Sequence, residues 1–236
     1  MRFIKAHSLG NDFIILINSI LPKKHDIVRL CNRRFGIGAD GLVSLKVSNN
    51  KAEVRFFNAD GSEASLCGNA SRICGSILID EYDIWSFTTA SGIILIQSDN
   101  DLKGVKIPIK PEIKEIHHKE RAFSLIYSGV PHMIYECKDF QLEKDHISID
   151  FPSFEDYNWD FIDVTSEKII INTFERGVGY TFGCSTGAAA VAYYMSKKNN
   201  MKEYLLEFPG GIAKATVDGE DVIVYSDVTI VYKGEY

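Results

Sequence analysis

A chain of 236 residues with 45% hydrophobic and 25% charged residues, 18 glycines and 6 prolines has an ordinary globular composition, long enough for one large domain or two smaller ones. That composition excludes disordered, fibrous and repeat-array proteins, and the net charge of -6 argues against nucleic acid as a partner. No apolar run is long enough to span a membrane, and residues 1–7 lack the apolar core of a signal peptide, so we expect a cytoplasmic protein with no membrane partner.

The first quarter of the chain alternates predicted strands with glycine-containing turns. Residues 3–17 are predicted to form a strand that is interrupted at 8–12, where glycine and small polar residues favour a turn. Apolar residues recur at helical spacing over 26–35, and Gly36 is placed to end that helix. A second tight turn is predicted at 36–41. Further strands are predicted at 42–47 and 52–58.

Two later segments share one design, in which a turn precedes a cysteine that begins a helix. In the first segment the turn at 58–62 precedes Cys67, and the helix that follows has an apolar face. In the second the turn at 175–179 precedes Cys184, and small residues on all sides of its helix predict burial. The repetition predicts two related lobes with one cysteine each.

A cysteine at the start of a helix is a suitable acid or base. The unpaired N–H groups and the positive end of the helix dipole favour the thiolate, so we expect the pKa of both thiols to fall from the usual ~8.5. The same N–H groups can hold a carboxylate, which would place the α-carbon of an amino acid between Cys67 and Cys184. One thiolate then removes the α-proton while the opposite thiol delivers another, and the centre inverts.

Each feature also has an ordinary structural explanation. A lone cysteine usually packs in a core, and Cys31, Cys74 and Cys137 are interpreted in this way. Cys67 and Cys184 each follow a turn and begin a helix, and this shared context favours a catalytic role over simple core packing. The cysteines form no metal-ligand pattern, so we expect five free thiols and no metal site. The turn at 36–41 leads into a strand instead of a helix, which makes a dinucleotide site a poor interpretation.

Seven short motifs occur along the chain in a fixed order. They are Gly-Asn-Asp-Phe at 10–13, Gly-Ala-Asp-Gly at 38–41, Phe-Asn-Ala-Asp-Gly-Ser-Glu at 57–63, Cys-Gly-Asn at 67–69, Asn-Trp-Asp-Phe at 158–161, Glu-Arg-Gly-Val-Gly at 175–179 and Cys-Ser-Thr-Gly at 184–187. Each motif alone is weak, but in this order they resemble the diaminopimelate epimerase family over essentially the whole chain.

The resemblance implies an α+β fold of two pseudo-symmetric lobes, each a curled, mostly antiparallel, barrel-like sheet around a central helix. We place the Cys67 lobe at 1–108 with 226–236 and the Cys184 lobe at 109–225, since the two prolines within 106–111 favour a crossover there. The resemblance also implies epimerisation of LL-2,6-diaminopimelate to the meso form, in the biosynthesis of lysine and peptidoglycan precursors. It implies a homodimer that needs no cofactor, neither a metal nor pyridoxal phosphate.

The family's site residues carry over to matching positions of this chain. Cys67 and Cys184 are the implied catalytic acid/base pair, and His132 and Glu175 match positions near the thiols that would tune their pKa. Tyr232 matches a tyrosine at the dimer contact. The implied substrate-binding residues are Gly68, Asn69, Ser185 and Thr186 for the α-carboxylate, and Asn11, Asn58, Asn158 and Arg176, with the backbone near Glu175, for the distal amino and carboxylate groups.

Two positions depart from the family pattern. Val130 stands before Pro-His where the family usually has asparagine, and Tyr180 stands where it usually has glutamate. Both changes leave the thiol pair intact, so they bear on the substrate more than on the reaction. Three other functions stay open: a racemase of another amino acid with the same fold and cysteine pair, a cysteine-nucleophile hydrolase with His132 as base, and a binding protein without activity.

Overall fold

The computed structural model of the protein describes residues 1–236 and contains four α-helices and eighteen β-strands. The first half of the chain forms β1 (Arg2–Ser8), β2 (Asn11–Ile17), α1 (Lys24–Cys31), β3 (Gly41–Ser48), β4 (Lys51–Asn58), β5 (Glu63–Ala64), α2 (Gly68–Tyr82), β6 (Ser86–Thr89), β7 (Gly92–Asp99) and β8 (Leu102–Ile107). The second half forms β9 (Ile109–His118), β10 (Arg121–Ser128), β11 (Val130–Glu136), α3 (Phe140–Asp150), β12 (Asn158–Val164), β13 (Ile169–Glu175), β14 (Gly179–Thr181), α4 (Ser185–Asn199), β15 (Glu203–Phe208), β16 (Gly211–Asp218), β17 (Asp221–Ser226) and β18 (Thr229–Glu235).

The chain divides into two compact units. The N-unit consists of Met1–Val105 and Tyr225–Tyr236, and the C-unit consists of Lys106–Val224. In the N-unit, β1 pairs antiparallel with β2 and β18, β2 pairs parallel with β3, and β3 pairs antiparallel with β4. Strand β4 then pairs antiparallel with β5 and parallel with β6, and β6 pairs antiparallel with β7.

The C-unit repeats this order of pairings. Strand β10 pairs antiparallel with β11 and β9, β11 pairs parallel with β12, and β12 pairs antiparallel with β13. Strand β13 pairs antiparallel with β14 and parallel with β15, and β15 pairs antiparallel with β16. The predicted α+β class, with a mostly antiparallel sheet in each of two similar lobes, is confirmed.

One largely buried helix packs against the sheet of each unit. Helix α2 contacts β1, β2, β4 and β7, and helix α4 contacts β9, β10, β11, β12, β15 and β16. The run of small residues over 188–192 is completely buried, as the sequence predicts, because alanine and valine let strands approach the helix on several sides. The remaining helices α1 and α3 bury fewer residues and flank the sheets.

Two predicted elements differ from the structure. Helix α1 ends at Cys31, four residues before the predicted end, because Oδ1 of Asn32 accepts hydrogen bonds from the N–H groups of Arg34 and Phe35 and so stabilises a turn. Gly36 therefore lies beyond the helix, where the chain folds back onto the last turn. A Cβ atom at Gly36 would lie 2.1 Å from the carbonyl oxygen of Arg29.

The segment 106–111, predicted as the crossover between the lobes with two prolines that discourage a central strand, contains the end of β8 and the start of β9. Pro108 lies between the two strands. Pro111 lies within β9 where the register with β10 shifts, between the pairs Ile126–Ile113 and Tyr127–Lys110. A bulge of this kind leaves an N–H without a ladder partner, so proline costs little there. None of the four helices combines the length and the apolar character that crossing a bilayer requires.

Candidate functional site

Cys184 precedes helix α4 as its N-terminal cap and is buried in the C-unit. Its backbone is extended, with φ -123° and ψ 116°, as is usual for a capping residue. The sulfur accepts a hydrogen bond from the N–H of Gly187 at 3.4 Å and lies 3.2 Å from Oγ1 of Thr186. The first turn of its own helix therefore fixes the position of the thiol.

His132 connects this helix turn to the sheet. It is fully buried in β11 and faces Asn158 of β12 in the parallel register. Its Nδ1 lies 2.6 Å from Oδ2 of Asp160, and its Nε2 lies 2.9 Å from Oγ1 of Thr186. The amide nitrogen of Asn158 lies 3.3 Å from the same Nε2. Two other residues predicted from the sequence, Asn158 and Thr186, thus each contact Nε2 of the predicted His132.

The end of β13 contributes Glu175 and the turn after it contributes Arg176. The carboxylate of Glu175 accepts a hydrogen bond from the hydroxyl of Thr181 at 2.8 Å and another from the Cys184 thiol. The backbone N–H of Arg176 donates to Oδ1 of Asn158 at 2.8 Å, and its side chain is exposed. Ser185, the first residue of α4, is buried.

The electrostatic environment of Cys184 favours the neutral thiol. Burial raises the pKa of this thiol well above its usual value, and the negative charges of Glu175 and Asp160 raise it further. The contact with the Thr186 hydroxyl and the hydrogen bond from the N–H of Gly187 oppose this rise without cancelling it. The expectation that a helix start lowers the pKa is therefore wrong for Cys184, because burial and two carboxylates outweigh the helix terminus. Burial also raises the pKa of Glu175.

Cys67 precedes helix α2 in the same way in the N-unit. Its backbone is extended, with φ -138° and ψ 114°, and its side chain is partly exposed. Gly68 and Asn69 follow in the first turn and are buried. Because the first N–H groups of a helix have no acceptor within the helix, the first turns of α2 and α4 both present donors that suit a carboxylate.

The predicted residues Asn11 and Asn58 lie at the ends of strands in the N-unit. Leu9 and Gly10 both have positive φ, as a two-residue hairpin turn requires, and they bring Asn11 opposite Ser8. The buried Oδ1 of Asn11 accepts no hydrogen bond from the chain. Asn58 ends β4, is exposed, and donates a hydrogen bond to Oγ of Ser62 at 2.9 Å.

Two polar residues of the C-unit site were not predicted individually. Asp160 is completely buried, and its Oδ1 accepts a hydrogen bond at 2.8 Å from Thr173, its partner in the register of β12 and β13. The signal in the sequence is a carboxylate directly between two large aromatic residues, Trp159 and Phe161, in a strand. A charge at such a position is retained only where it is paired.

A second unpredicted group of polar residues lies behind the first turn of α2. Arg72 is fully buried and donates hydrogen bonds to the side-chain oxygen of Asn69 and, at 3.2 Å, to Oγ of Ser8. Oγ of Ser8 lies 2.7 Å from Oγ of Ser226. The corresponding signal is an arginine among the apolar residues of a helix.

The remaining predicted positions lie away from these groups. None of the five cysteines forms a disulfide, and Cys31 and Cys74 are buried as predicted, whereas Cys137 is partly exposed. Tyr232 lies in β18 with 45% of its surface exposed and packs edge-on against Phe3, with ring centroids 5.8 Å apart. No group of three or more histidine, cysteine, aspartate or glutamate side chains has an arrangement that could hold a metal ion.

Comparison with known proteins gives one family. A family model described as diaminopimelate epimerase matches residues 3–108. The diaminopimelate epimerase of Caldanaerobacter subterraneus is 34% identical over an alignment that covers 100% of this chain and 99% of the relative. That of Carboxydothermus hydrogenoformans is 33% identical, again with 100% of this chain and 99% of the relative covered.

Solved structures share the fold at much lower identity. A phenazine biosynthesis protein of the PhzF family from Enterococcus faecalis superposes with a TM-score of 0.76 at 14% identity, covering 100% of this chain and 98% of that one. A probable proline racemase from Agrobacterium radiobacter superposes with a TM-score of 0.70 at 11% identity, covering 100% and 92%. At such identities the likeness supports the fold alone.

Proposed function

Because this chain belongs to the diaminopimelate epimerase family and is an isomerase, we propose that it interconverts LL-2,6-diaminopimelate and the meso form. The reaction would serve the biosynthesis of lysine and peptidoglycan precursors. Relatives that carry this name match the chain over its whole length, so the proposal does not depend on one segment.

Cys67 and Cys184 are the proposed acid and base, one for each face of the α-carbon. In one direction the first sulfur takes the α-proton as the second delivers its own, and in the other direction the roles exchange. Each C–H bond that breaks is replaced by one that forms on the opposite face, so the centre inverts and no other atom is transferred. The α-carboxylate would accept hydrogen bonds from the first turns of α2 and α4, at Gly68–Asn69 and Ser185–Thr186.

The observation that carries this proposal is the set of proton acceptors buried around Cys184. A thiol with a raised pKa keeps its proton at neutral pH and can deliver it to the α-carbon in one direction. In the other direction, where the sulfur must act as the base, Glu175 directly and His132 through the Thr186 hydroxyl can accept the thiol proton. A cysteine that merely fills space in a core does not need acidic and basic neighbours, since burying them is costly. This arrangement supports the proposed pKa-tuning roles of His132 and Glu175.

The distal amino and carboxylate groups of the substrate are assigned to residues around the strand ends. Arg176 offers an exposed guanidinium that suits a carboxylate, and Asn11 has an amide oxygen that accepts nothing from the chain. Asn58 lies on an exposed turn. Asn158 is already bonded to His132 and to the backbone of Arg176, so we propose that it orients these two residues in addition to contacting substrate.

Three further parts of the proposal concern the setting of the enzyme. We propose a cytoplasmic homodimer with Tyr232 at the contact, and catalysis without a cofactor. The support for the dimer is the exposure of three consecutive large apolar residues of β18, Ile230, Val231 and Tyr232.

The test is turnover of a panel of amino acids, followed by chiral chromatography, with the Cys67→Ala, Cys184→Ala double variant as the blank. We expect the parent to interconvert LL- and meso-diaminopimelate. The double variant should show no more than trace activity. Racemisation of a monocarboxylic amino acid, with no turnover of LL-diaminopimelate, would contradict this proposal. It would show instead that the enzyme is a racemase of another amino acid, the alternative that Val130 leaves open. A trapped acyl-enzyme on one cysteine would replace it by the hydrolase.

A further inference from the structure

We infer that the proton of Cys184 moves to His132 through the hydroxyl of Thr186, along a chain of buried hydrogen bonds. Asp160, at the far side of His132, is a positioning residue that holds the ring ready to accept this proton. The inference rests on the proposed function, because it assumes that Cys184 must gain and lose a proton in each turnover. It adds to that function two side-chain roles, one for Asp160 and one for the hydroxyl of Thr186.

The protonation of the His132 ring follows from its neighbours. The N–H of Arg176 donates to Oδ1 of Asn158, which fixes the orientation of that amide and directs its NH2 group toward Nε2 of His132. Nε2 must therefore accept. On the other side of the ring a carboxylate oxygen of Asp160 lies 2.6 Å from Nδ1, so Nδ1 carries the proton. Two independent contacts thus select the neutral ring with Nδ1–H and an unprotonated Nε2.

Thr186 joins this ring to the thiol. Its Oγ1 lies 2.9 Å from Nε2 of His132 and 3.2 Å from Sγ of Cys184, so one hydroxyl contacts both atoms. When Cys184 gives up its proton, the S–H bond breaks as an O–H bond forms, and the original O–H bond of Thr186 breaks as an N–H bond forms at Nε2. The reverse sequence returns the proton to sulfur, and no oxidant or other reactant is needed.

Asp160 is positioned to stabilise the His132 ring during this proton transfer. Its Oδ2 accepts from His132, its Oδ1 accepts from Thr173, and the residue has no exposed surface. The carboxylate charge stabilises the imidazolium that forms when Nε2 takes a proton. Helix α4 also comes close, since a Cβ atom at Gly187 would lie 2.4 Å from Oδ1 of Asp160. The carboxylate is therefore fixed from three directions.

The titratable groups around Cys184 come from three strands of the C-unit. They are His132 in β11, Asp160 in β12 and Glu175 in β13. Glu175 is the competing acceptor, because it also receives a hydrogen bond from the thiol and a single S–H can serve one acceptor at a time. Deletion of the Thr186 hydroxyl distinguishes the two routes, since it leaves Glu175 and its hydrogen bond from Thr181 in place.

The first experiment needs no substrate. In protein labelled with 15N-histidine, NMR near neutral pH should show His132 as the neutral ring with hydrogen on Nδ1, identified by loss of its signal in His132→Gln. The Asp160→Asn variant should lose or weaken this preference, and the exposed His25 should not change. A parent His132 with its hydrogen on Nε2 would overturn the inference whatever the enzyme's substrate proves to be.

The second experiment compares Thr186→Val with Thr186→Ser in the epimerase assay. Valine keeps the shape and removes the hydroxyl, and we expect kcat to fall about 10- to 100-fold with a smaller change in KM. Serine should restore most of the rate, and Thr88→Val on the exposed face of β6 should match the parent. An active parent with an equally active Thr186→Val would refute the relay while leaving the epimerase function intact. A parent with no epimerase activity would refute the proposed function. The NMR experiment would then still decide which ring nitrogen of His132 carries the hydrogen.

Discussion

The guanidinium of Arg33 donates two hydrogen bonds to the carboxylate of Asp12, at 3.0 and 2.7 Å, and one at 2.6 Å to Asp40. The N–H of Asp12 donates to Asp40 at 3.1 Å, and the N–H of Asp40 donates back to Asp12 at 3.0 Å. The ammonium of Lys5, buried beneath, lies 2.7 Å from Asp12. These contacts fasten the turn that carries Asn11 to the turn at 36–41.

Arg33→Gln should therefore reduce stability in a pH-dependent way. Burial opposes ionisation of Asp12, but the hydrogen bonds from Arg33 and Lys5 outweigh it and hold the pKa of this carboxyl well below its usual range. A depressed pKa adds stability above the unfolded value of about 4, and this contribution is lost as pH falls below it. We expect urea denaturation to show a loss of about 1–2 kcal/mol at pH 7, reduced for the exposure of Arg33, and a smaller loss at about pH 3.

The matched control is Arg55→Gln, which removes another bidentate pair, with Glu63, that is exposed on both sides. Its cost should stay below about 1 kcal/mol. Equal losses for the two variants, or a loss for Arg33→Gln that does not change with pH, would show that Arg33 does not stabilise the Asp12 carboxylate.

Gly187→Ala should reduce both stability and activity, although it adds only one methyl group. The added Cβ would lie 2.4 Å from Oδ1 and 3.1 Å from Cγ of Asp160, so the helix or the carboxylate must move. We expect a loss of about 1–3 kcal/mol in unfolding free energy together with a drop in kcat. Lys197→Ala, on the exposed end of the same helix, should change neither. Parental stability in Gly187→Ala would mean that α4 and Asp160 are not in close contact.

The cysteines should differ in their reaction with iodoacetamide. Burial raises the pKa of Cys31 to about 11 and of Cys137 to about 12, and it raises those of Cys74 and Cys184 as well. Only the thiolate reacts, so these four should label slowly at pH 8. Cys67 is partly exposed at the start of a helix and should label first, as peptide mass spectrometry would show. Faster labelling of Cys184 than of Cys67 would contradict the buried neutral thiol.

Tyr180→Phe tests whether one departure from the family pattern affects the reaction. The Tyr180 ring stacks on Phe140 with centroids 5.7 Å apart, and its hydroxyl donates to Asn172 at 3.0 Å. These contacts tie β14 to α3 and β13, which is a structural role. We expect kcat/KM for LL-diaminopimelate within about twofold of the parent and a stability loss of at most about 1 kcal/mol. A large change in substrate preference would instead place Tyr180 at the substrate.

The elements that the sequence predicts well are those with a local cause. A turn followed by a cysteine and a helical run of apolar or small residues is sufficient to predict the starts of α2 and α4. The residues that escaped prediction depend on neighbours distant in sequence. Asp160 faces Thr173 and His132 only because β12 pairs with β13 on one side and β11 on the other, and α3 separates β11 from β12 along the chain.

The differences between prediction and structure have the same origin. Helical dipoles act within one turn and are visible in the sequence, whereas the burial that raises the pKa of Cys184 depends on the whole C-unit. Pro111 predicts an interruption, but a bulge in the pairing of β9 with β10 accommodates it. Local chemistry therefore singles out the two cysteines, and packing decides the direction in which the pKa of Cys184 shifts.

Deuterium wash-in at the α-carbon tests the two-thiol claim most directly. Parent enzyme in heavy water should place deuterium in the newly inverted centre of the product, starting from either LL- or meso-diaminopimelate. Cys67→Ala and Cys184→Ala should each lose epimerisation, and any exchange without inversion that remains should occur at centres of opposite configuration in the two variants, since each retains the sulfur for one face. Epimerisation at a near-parental rate by either variant, or residual exchange of the same centre by both, would contradict a mechanism with one thiol on each side.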